Sequence, residues 1–299
     1  MILPISRRIP FASVMLILLI CGICRADTLY WKWTKGDVYH VQLTSKSLIT
    51  IRDTTQQLDY ETQTTIDGTL VVQAQSSQGV ADVLWTVSRV RIESGSGKQR
   101  IVVDTDQPAA ATATTGLLAS IRPLLDKRFI IRTNAQADMI RVQQQQLDSL
   151  TDRKTPHTVP AGGPQMFTVE GIESAFRNIF ISFPERDIQP NAEWIIPINP
   201  LAEPQENKTQ FGYRFTGLDQ QSRQVIVITG KYAFPKPSQP STVINIEQQQ
   251  LSGKLLLDPK QHYVTHLNLG LLLKTSTGEA SAKIKTEQSE TQTISIQKR

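Results

Sequence analysis

From Tyr39 onward, apolar residues recur at every second position. Tyr39, Val41, Leu43, Ile49 and Ile51 share one parity, and Leu70 and Val72 close a second run. Period-two alternation is the signature of a strand with one buried face. Val83, Trp85 and Val87 define another such face; Val90 and Ile92 then switch parity, as a β-bulge produces. Ser94-Gly95-Ser96-Gly97-Lys98 reads as a turn before Ile101 to Val103. Phe129 to Arg132 and Met139 to Val142 flank a polar hairpin connection from Asn134 to Asp138. The second half repeats the habit: Phe211 to Phe215 and Val225 to Thr229 flank Asp219 to Arg223. Leu255 to Leu257 runs into Asp258-Pro259-Lys260-Gln261, then a long strand with odd positions Tyr263, Thr265, Leu267, Leu269, Leu271 and Leu273. Ile284 and the Ile294/Ile296 pair suggest closing strands. The pattern predicts a mainly β (β-rich α+β) protein: long curved antiparallel sheets, half-barrel or barrel-like, in two halves.

Helical spacing is confined to short stretches. Thr168 to Phe183 aligns Ile172, Phe176, Ile179, Phe180 and Phe183 on one stripe, with Glu170 and Glu173 near its start and Pro184 as a stop. Thr115 to Arg122 predicts a second helix with Leu117, Leu118 and Ile121 inward. The glutamine tract Gln143–Gln146 through Leu150 suggests a third. A Pro/Gly-rich stretch over 155–166 reads as a linker between an N-terminal half (27–154) and a C-terminal half (167–299).

The first 26 residues have another character. Arg7 and Arg8 precede an apolar run from Phe11 to Ile23, and Cys24-Arg25-Ala26 puts small residues at −3 and −1 before a cut between Ala26 and Asp27. The apolar core is too short for the roughly 20 residues of a spanning helix. Arg25 beside the cut leaves retention as an anchor as the alternative. Ile20 before Cys21 and Ile23 before Cys24 disfavour a lipoprotein signal, and Phe11 lies one place late for a twin-arginine signal. The layout predicts export to the periplasm or beyond, with no transmembrane span in the mature chain.

Removing that leader changes the chemistry available. Cys21 and Cys24 are the chain's two cysteines, so the remainder has neither disulfide nor thiolate metal site. The formal charge of +5 includes Arg7, Arg8 and Arg25, and falls to about +2 without them. A near-neutral chain gives no electrostatic case for nucleic acid.

No constellation predicts a catalytic residue, metal or cofactor. His262 and His266 are four apart, but on a strand that spacing is about 13 Å, whereas two zinc ligands each lie about 2 Å from one ion. His40 falls on the polar parity of its strand, and His157 in the linker. Gly95-Ser96-Gly97-Lys98 lacks the first glycine of a phosphate loop, and Gln99 stands where Ser or Thr is needed. There is no G-x-S-x-G elbow. Asp104 and Asp106 read as a solvated strand end before Pro108, with weak calcium binding as the alternative. Asn207-Lys208-Thr209 matches a glycosylation sequon. Trp31 and Trp33 share a face and either pin the first strand or line a pocket mouth, so candidate ligand-lining residues are Trp31, Trp33, Trp85, Leu267, Leu269 and Leu271.

The run Leu29-Tyr30-Trp31-Lys32-Trp33-Thr34-Lys35-Gly36-Asp37, the Gly-x-Leu-x-x-Asp hairpin Gly253–Asp258 and the segment Gln189 to Trp194 before Pro197 resemble a family of secreted planctomycete-type bacterial proteins. The resemblance implies secretion and brings no activity or site. By analogy with lipid-carrier half-barrels, the expected function is a non-enzymatic extracytoplasmic protein binding an apolar or amphipathic ligand or an envelope partner. A cell-envelope structural or assembly component with a filled core is the alternative, and a hydrolase with dispersed carboxylates a further one.

Overall fold

Among the described residues, twelve strands pair into one antiparallel sheet in which the first and last of them are neighbours. The computed structural model describes residues 29–107, 112–122, 125, 127–134, 136, 138–145, 169–177, 179–184, 187–197, 210–231, 245–278 and 284–299. The leader 1–26 with its cut between Ala26 and Asp27, the 155–166 linker, His157 and the Asn207 sequon lie outside these residues.

The strands are β1 (Val38–Arg52), β2 (Gln57–Gln75), β3 (Ala81–Ser96), β4 (Gln99–Asp104), β5 (Arg128–Thr133), β6 (Met139–Gln145), β7 (Glu193–Pro197), β8 (Gln210–Leu218), β9 (Gln224–Lys231), β10 (Asn245–Asp258), β11 (Tyr263–Thr277) and β12 (Ile284–Lys298). Among the described residues two helices accompany them, α1 (Thr112–Ile121) and α2 (Val169–Arg177). The order is β6-β5-β3-β2-β1-β12-β11-β10-β9-β8-β7, with β4 on the free flank of β3; β6 and β7 end the sheet, which does not close. The mainly-β fold follows from the alternation, because one face carries nearly all the apolar positions. Val41 on β1 faces Ile296 on β12, and Leu43 lies between Ile66 and Ile294.

The parity switch after Val87 is a bulge. Asp67 pairs with Arg89 and Gly68 with Val87, leaving Ser88 as the extra residue, so Val87 and Val90 both point inward. The Ser88 hydroxyl donates to the Asp67 carbonyl at 3.0 Å. Thr265 and Thr216 are the extra residues of two further bulges, and donate to the carbonyls of Leu256 and Val225 at 3.2 and 3.3 Å. At each, a hydroxyl serves a carbonyl of the neighbouring strand beside the break in the ladder. The Thr265 bulge changes one expectation: parity holds from Leu267 to Leu273, but Tyr263 and Val264 are both buried. Turns rely on aspartates, with Asp53, Asp219 and Asp258 each accepting two backbone N–H groups just downstream.

The helices differ from their expected bounds. α2 stops at Arg177, while Ile179, Phe180, Ile181 and Phe183 continue as buried, non-helical chain. Pro184 has no N–H to bond the Phe180 carbonyl, and the β-branched and aromatic residues before it are weak helix formers. In α1 the buried pair is Leu118 and Ile121, and Leu117 faces outward, because the contact stripe is the i, i+3 pair one position round from it. Gln143 to Gln145 belong to β6, where pairing with β5 overrides their helix propensity; Gln146 to Leu150 lie outside the described residues.

A single apolar cluster fills one region of the inner face, from Val142 on β6 to Tyr213 on β8. It is roofed by α2, by Phe180 and by the entering segment 29–33. Trp31 and Trp33 stack at 4.7 Å, Phe180 packs at 5.4 and 5.8 Å from them, and Trp33 meets Tyr39 edge-on at 5.9 Å. Phe176 of α2 meets Trp85 edge-on at 5.0 Å. Such pairs contribute about 0.5–1.5 kcal/mol each beyond the area they bury.

Candidate functional site

The inner face divides along the length of its strands. Its filled region ends at the row Leu255–Leu267–Ile294–Leu43–Ile66, all buried. The next row holds Leu269, Gln292, Ser45 and Thr64, and the one beyond it Leu271, Glu290, Ser47 and Thr62. Then come Leu273, Gln288, Ile49 and Tyr60, followed by Thr275, Thr286, Ile51 and Leu58. The same strands therefore carry a covered core at one end and an open face at the other.

A cavity of about 40 Å³ marks the junction, walled by Leu43, Ile66, Trp85 and Val87 of the sheet and Ile172 and Ala175 of α2, with Ser45, Thr64 and Gln292 at its margin. That volume suffices for a few waters, far below the several hundred Å³ of an enclosed small-molecule pocket. The indole Nε1 of Trp85 is buried without a hydrogen-bond partner. Beyond the junction, Ile51, Leu58, Tyr60, Ile246 and Ile284 are 41–53 % exposed, and register places all five on the inner face at one end of the sheet. Grouped exposed apolar residues of this size mark binding surfaces in soluble proteins.

Charge is distributed as unevenly as apolarity. Beyond the Leu43 row, the charged residues in register on β1–β4, β11 and β12 point to the outer face, with the exception of Glu290. Several outer charges are paired: Lys46 and Arg100 reach Glu61 at 2.7 and 2.8 Å, and Lys274 reaches Glu287 at 3.2 Å. Glu290 is half-buried, accepts a long 3.4 Å hydrogen bond from the Ser45 hydroxyl, and among the described residues has no cation within 4 Å. An outer-face hollow of about 230 Å³ is lined by Arg52, Glu247, Lys274, Lys285 and Glu287, a charged surface unsuited to an apolar guest.

The residues singled out from sequence fall into three groups. Trp31, Trp33 and Leu267 are core; Trp85 and Leu269 lie at the junction; Leu271 stands on the open face, partly buried. Asp104 is buried and takes two hydrogen bonds from Arg89, at 3.0 Å through Nε and 2.5 Å through Nη2, while Asp106 lies 3.5 Å from the same guanidinium. The Arg89 hydrogen bonds hold the Asp104 carboxyl below its usual range against the opposing effect of burial. Asp104 is therefore a paired, buried carboxylate on the outer face, where a solvated strand end was expected.

His262 lies in the turn before β11 with φ 53°, its ring stacked on Tyr30 at 4.2 Å; His266 is on the outer face of β11, opposite Ser295. Among the described residues no group of three His, Cys, Asp or Glu is placed to hold a metal, and no helix is long and apolar enough to cross a membrane. Glu290 was missed in the sequence, although counting back from Ile296 and Ile294 by twos puts Gln292, Glu290 and Gln288 on the apolar face.

No family model matches the chain, and no curated protein matches it in sequence. Several solved structures are similar at low identity, among them the following three. Lipovitellin, described for its lipid–protein interactions, shares 9 % identity over 89 % of this chain and 26 % of its own, with a TM-score of 0.48, so the chain spans about a quarter of that protein. DynF of the dynemicin biosynthesis pathway of Micromonospora chersina shares 4 % over 89 % and 85 %, TM-score 0.22. An outer membrane channel of Pseudomonas putida F1 shares 7 % over 90 % and 98 %, TM-score 0.24. With every TM-score below 0.5, none of these likenesses transfers a function.

Proposed function

We propose that this is a non-enzymatic extracytoplasmic binding or carrier protein, which holds an apolar or amphipathic ligand against the open end of its inner face. The observation that carries the reading is the exposure of Ile51, Leu58, Tyr60, Ile246 and Ile284 on the same face whose other end is a filled core. Leaving large apolar side chains in water forfeits about 25 cal/mol per Å² that burial would supply, and a ligand recovers it. The junction cavity takes no more than a ligand's tip, so its body lies along the open face. Secretion, expected from residues 1–26 and the planctomycete-type resemblance, belongs to the same proposal.

The filled region favours a second reading, an envelope structural or assembly component. Hydrolysis by two carboxylates needs a converging pair; on the rows of the open face the described strands supply one, Glu290. Native mass spectrometry of protein purified from envelope extract separates the first two readings. A bound amphiphile supports the carrier. Ligand-free protein that also ignores apolar dyes supports the structural component.

A further inference from the structure

The open face has two chemically different sides. On β11 it carries Leu271 and Leu273, which continue the buried Leu251 and Leu269, while β10 sets Gln249 opposite Leu273. One strand over, on β12, the directly paired positions are Gln292 opposite Leu269, Glu290 opposite Leu271 and Gln288 opposite Leu273. An apolar chain laid along the leucines thus runs beside a single carboxylate set between two amides. Glu290 contributes little to stability where it stands, since among the described residues it accepts one long hydrogen bond, from Ser45, and no described cation neutralises it. A half-buried, unpaired carboxylate is unfavourable in a folded chain, and its neighbours on the outer face show how readily this sheet pairs its charges when they serve the fold.

We infer that Glu290 selects the ligand's polar end, and that the protein prefers amphiphiles with a cationic amine headgroup over anionic ones of equal chain length. This rests on the ligand-binding reading above and names the ligand's class. The ammonium donates to the Glu290 carboxylate while the alkyl chain covers Leu271 and Leu273; an anionic head in the same place meets like charge. The overall charge of +5 works against this preference, so an amine preference cannot come from the protein's general field.

The test compares dodecylamine, dodecanol and dodecanoate below their micellar concentrations, by displacement of a fluorescent apolar probe from the full-length protein and from Glu290→Gln and Glu290→Lys. The expected order is amine, alcohol, carboxylate, with roughly tenfold between amine and carboxylate, the scale of one charge-assisted hydrogen bond. In Glu290→Gln the amine advantage over dodecanoate collapses, and in Glu290→Lys the order reverses, with the melting temperature of each variant recorded alongside. Equal affinities in the native protein, or an amine preference that survives Glu290→Gln, overturns the inference and leaves the ligand-binding reading standing. Failure of all three amphiphiles to bind overturns both.

Discussion

Gly68 lies directly beneath the ring of Trp85: a Cβ on Gly68 would stand 2.4 Å from Cη2 of the indole and 2.5 Å from the Thr86 carbonyl oxygen. The largest ring of the junction is admitted because one position opposite it has no side chain. Gly68→Ala is predicted to destabilise by about 1–3 kcal/mol, the usual cost of overpacking. Gly68→Ala with Trp85→Phe should recover part of that loss and not all, because the Thr86 backbone cannot yield as a ring can. Urea unfolding of the two variants checks it.

Phe176 anchors α2 to the sheet through Trp85 and stacks on Phe180 at 5.5 Å. Phe176→Ala should cost about 3–5 kcal/mol, read as a lower urea midpoint with unchanged slope. A change confined to the slope would mean that α2 is not part of the cooperative core.

The Asp104–Arg89 pair predicts an asymmetry between two aspartates that look alike in sequence. Asp104→Asn removes a buried hydrogen-bonded charge and should lower the melting temperature clearly. Asp106→Asn, at an exposed position, should change stability by no more than about 0.5 kcal/mol. Added calcium should shift neither melt.

Acid should lower the protein's stability in two steps. Burial, with Lys32 nearby, pushes the His262 imidazole below its ordinary value of 6.5, and burial with Arg223 and Lys254 does the same for His266. The fold favours the neutral rings, so their contribution is complete above pH 6.5 and is lost as pH falls through the lowered native values. A second loss follows as pH drops from 3.8 through the depressed values of Asp82, Asp104 and Asp219, whose arginine partners stabilise the ionised forms. Melting temperatures from pH 8 to 2 should show both steps. His262→Asn, a residue that tolerates the positive φ, combined with His266→Asn should shrink the first.

How much of this was legible in the sequence follows from where apolar residues alternate. The Val87/Val90 parity switch located the Ser88 bulge, and the odd leucines of β11 located its inner face, because each alternating side chain reports its own orientation. β12 offered little: from Lys285 to Thr293 both parities are polar, so nothing distinguished inner from outer until pairing with β1 and β11 fixed the register. The same silence hid Glu290. The end of α2 and the outward Leu117 were misplaced because helical spacing alone does not say which positions of a short apolar stretch find a partner.

The most direct test of the central claim is binding of a fluorescent apolar probe to the native protein and to Ile51→Asp/Leu273→Asp, with melting temperature recorded alongside. The account predicts saturable binding to the native chain, and a loss of roughly tenfold or more in affinity at nearly unchanged stability in the double variant, since Ile51 is solvent-exposed and Leu273 part-exposed already. Equal binding by both proteins would contradict it.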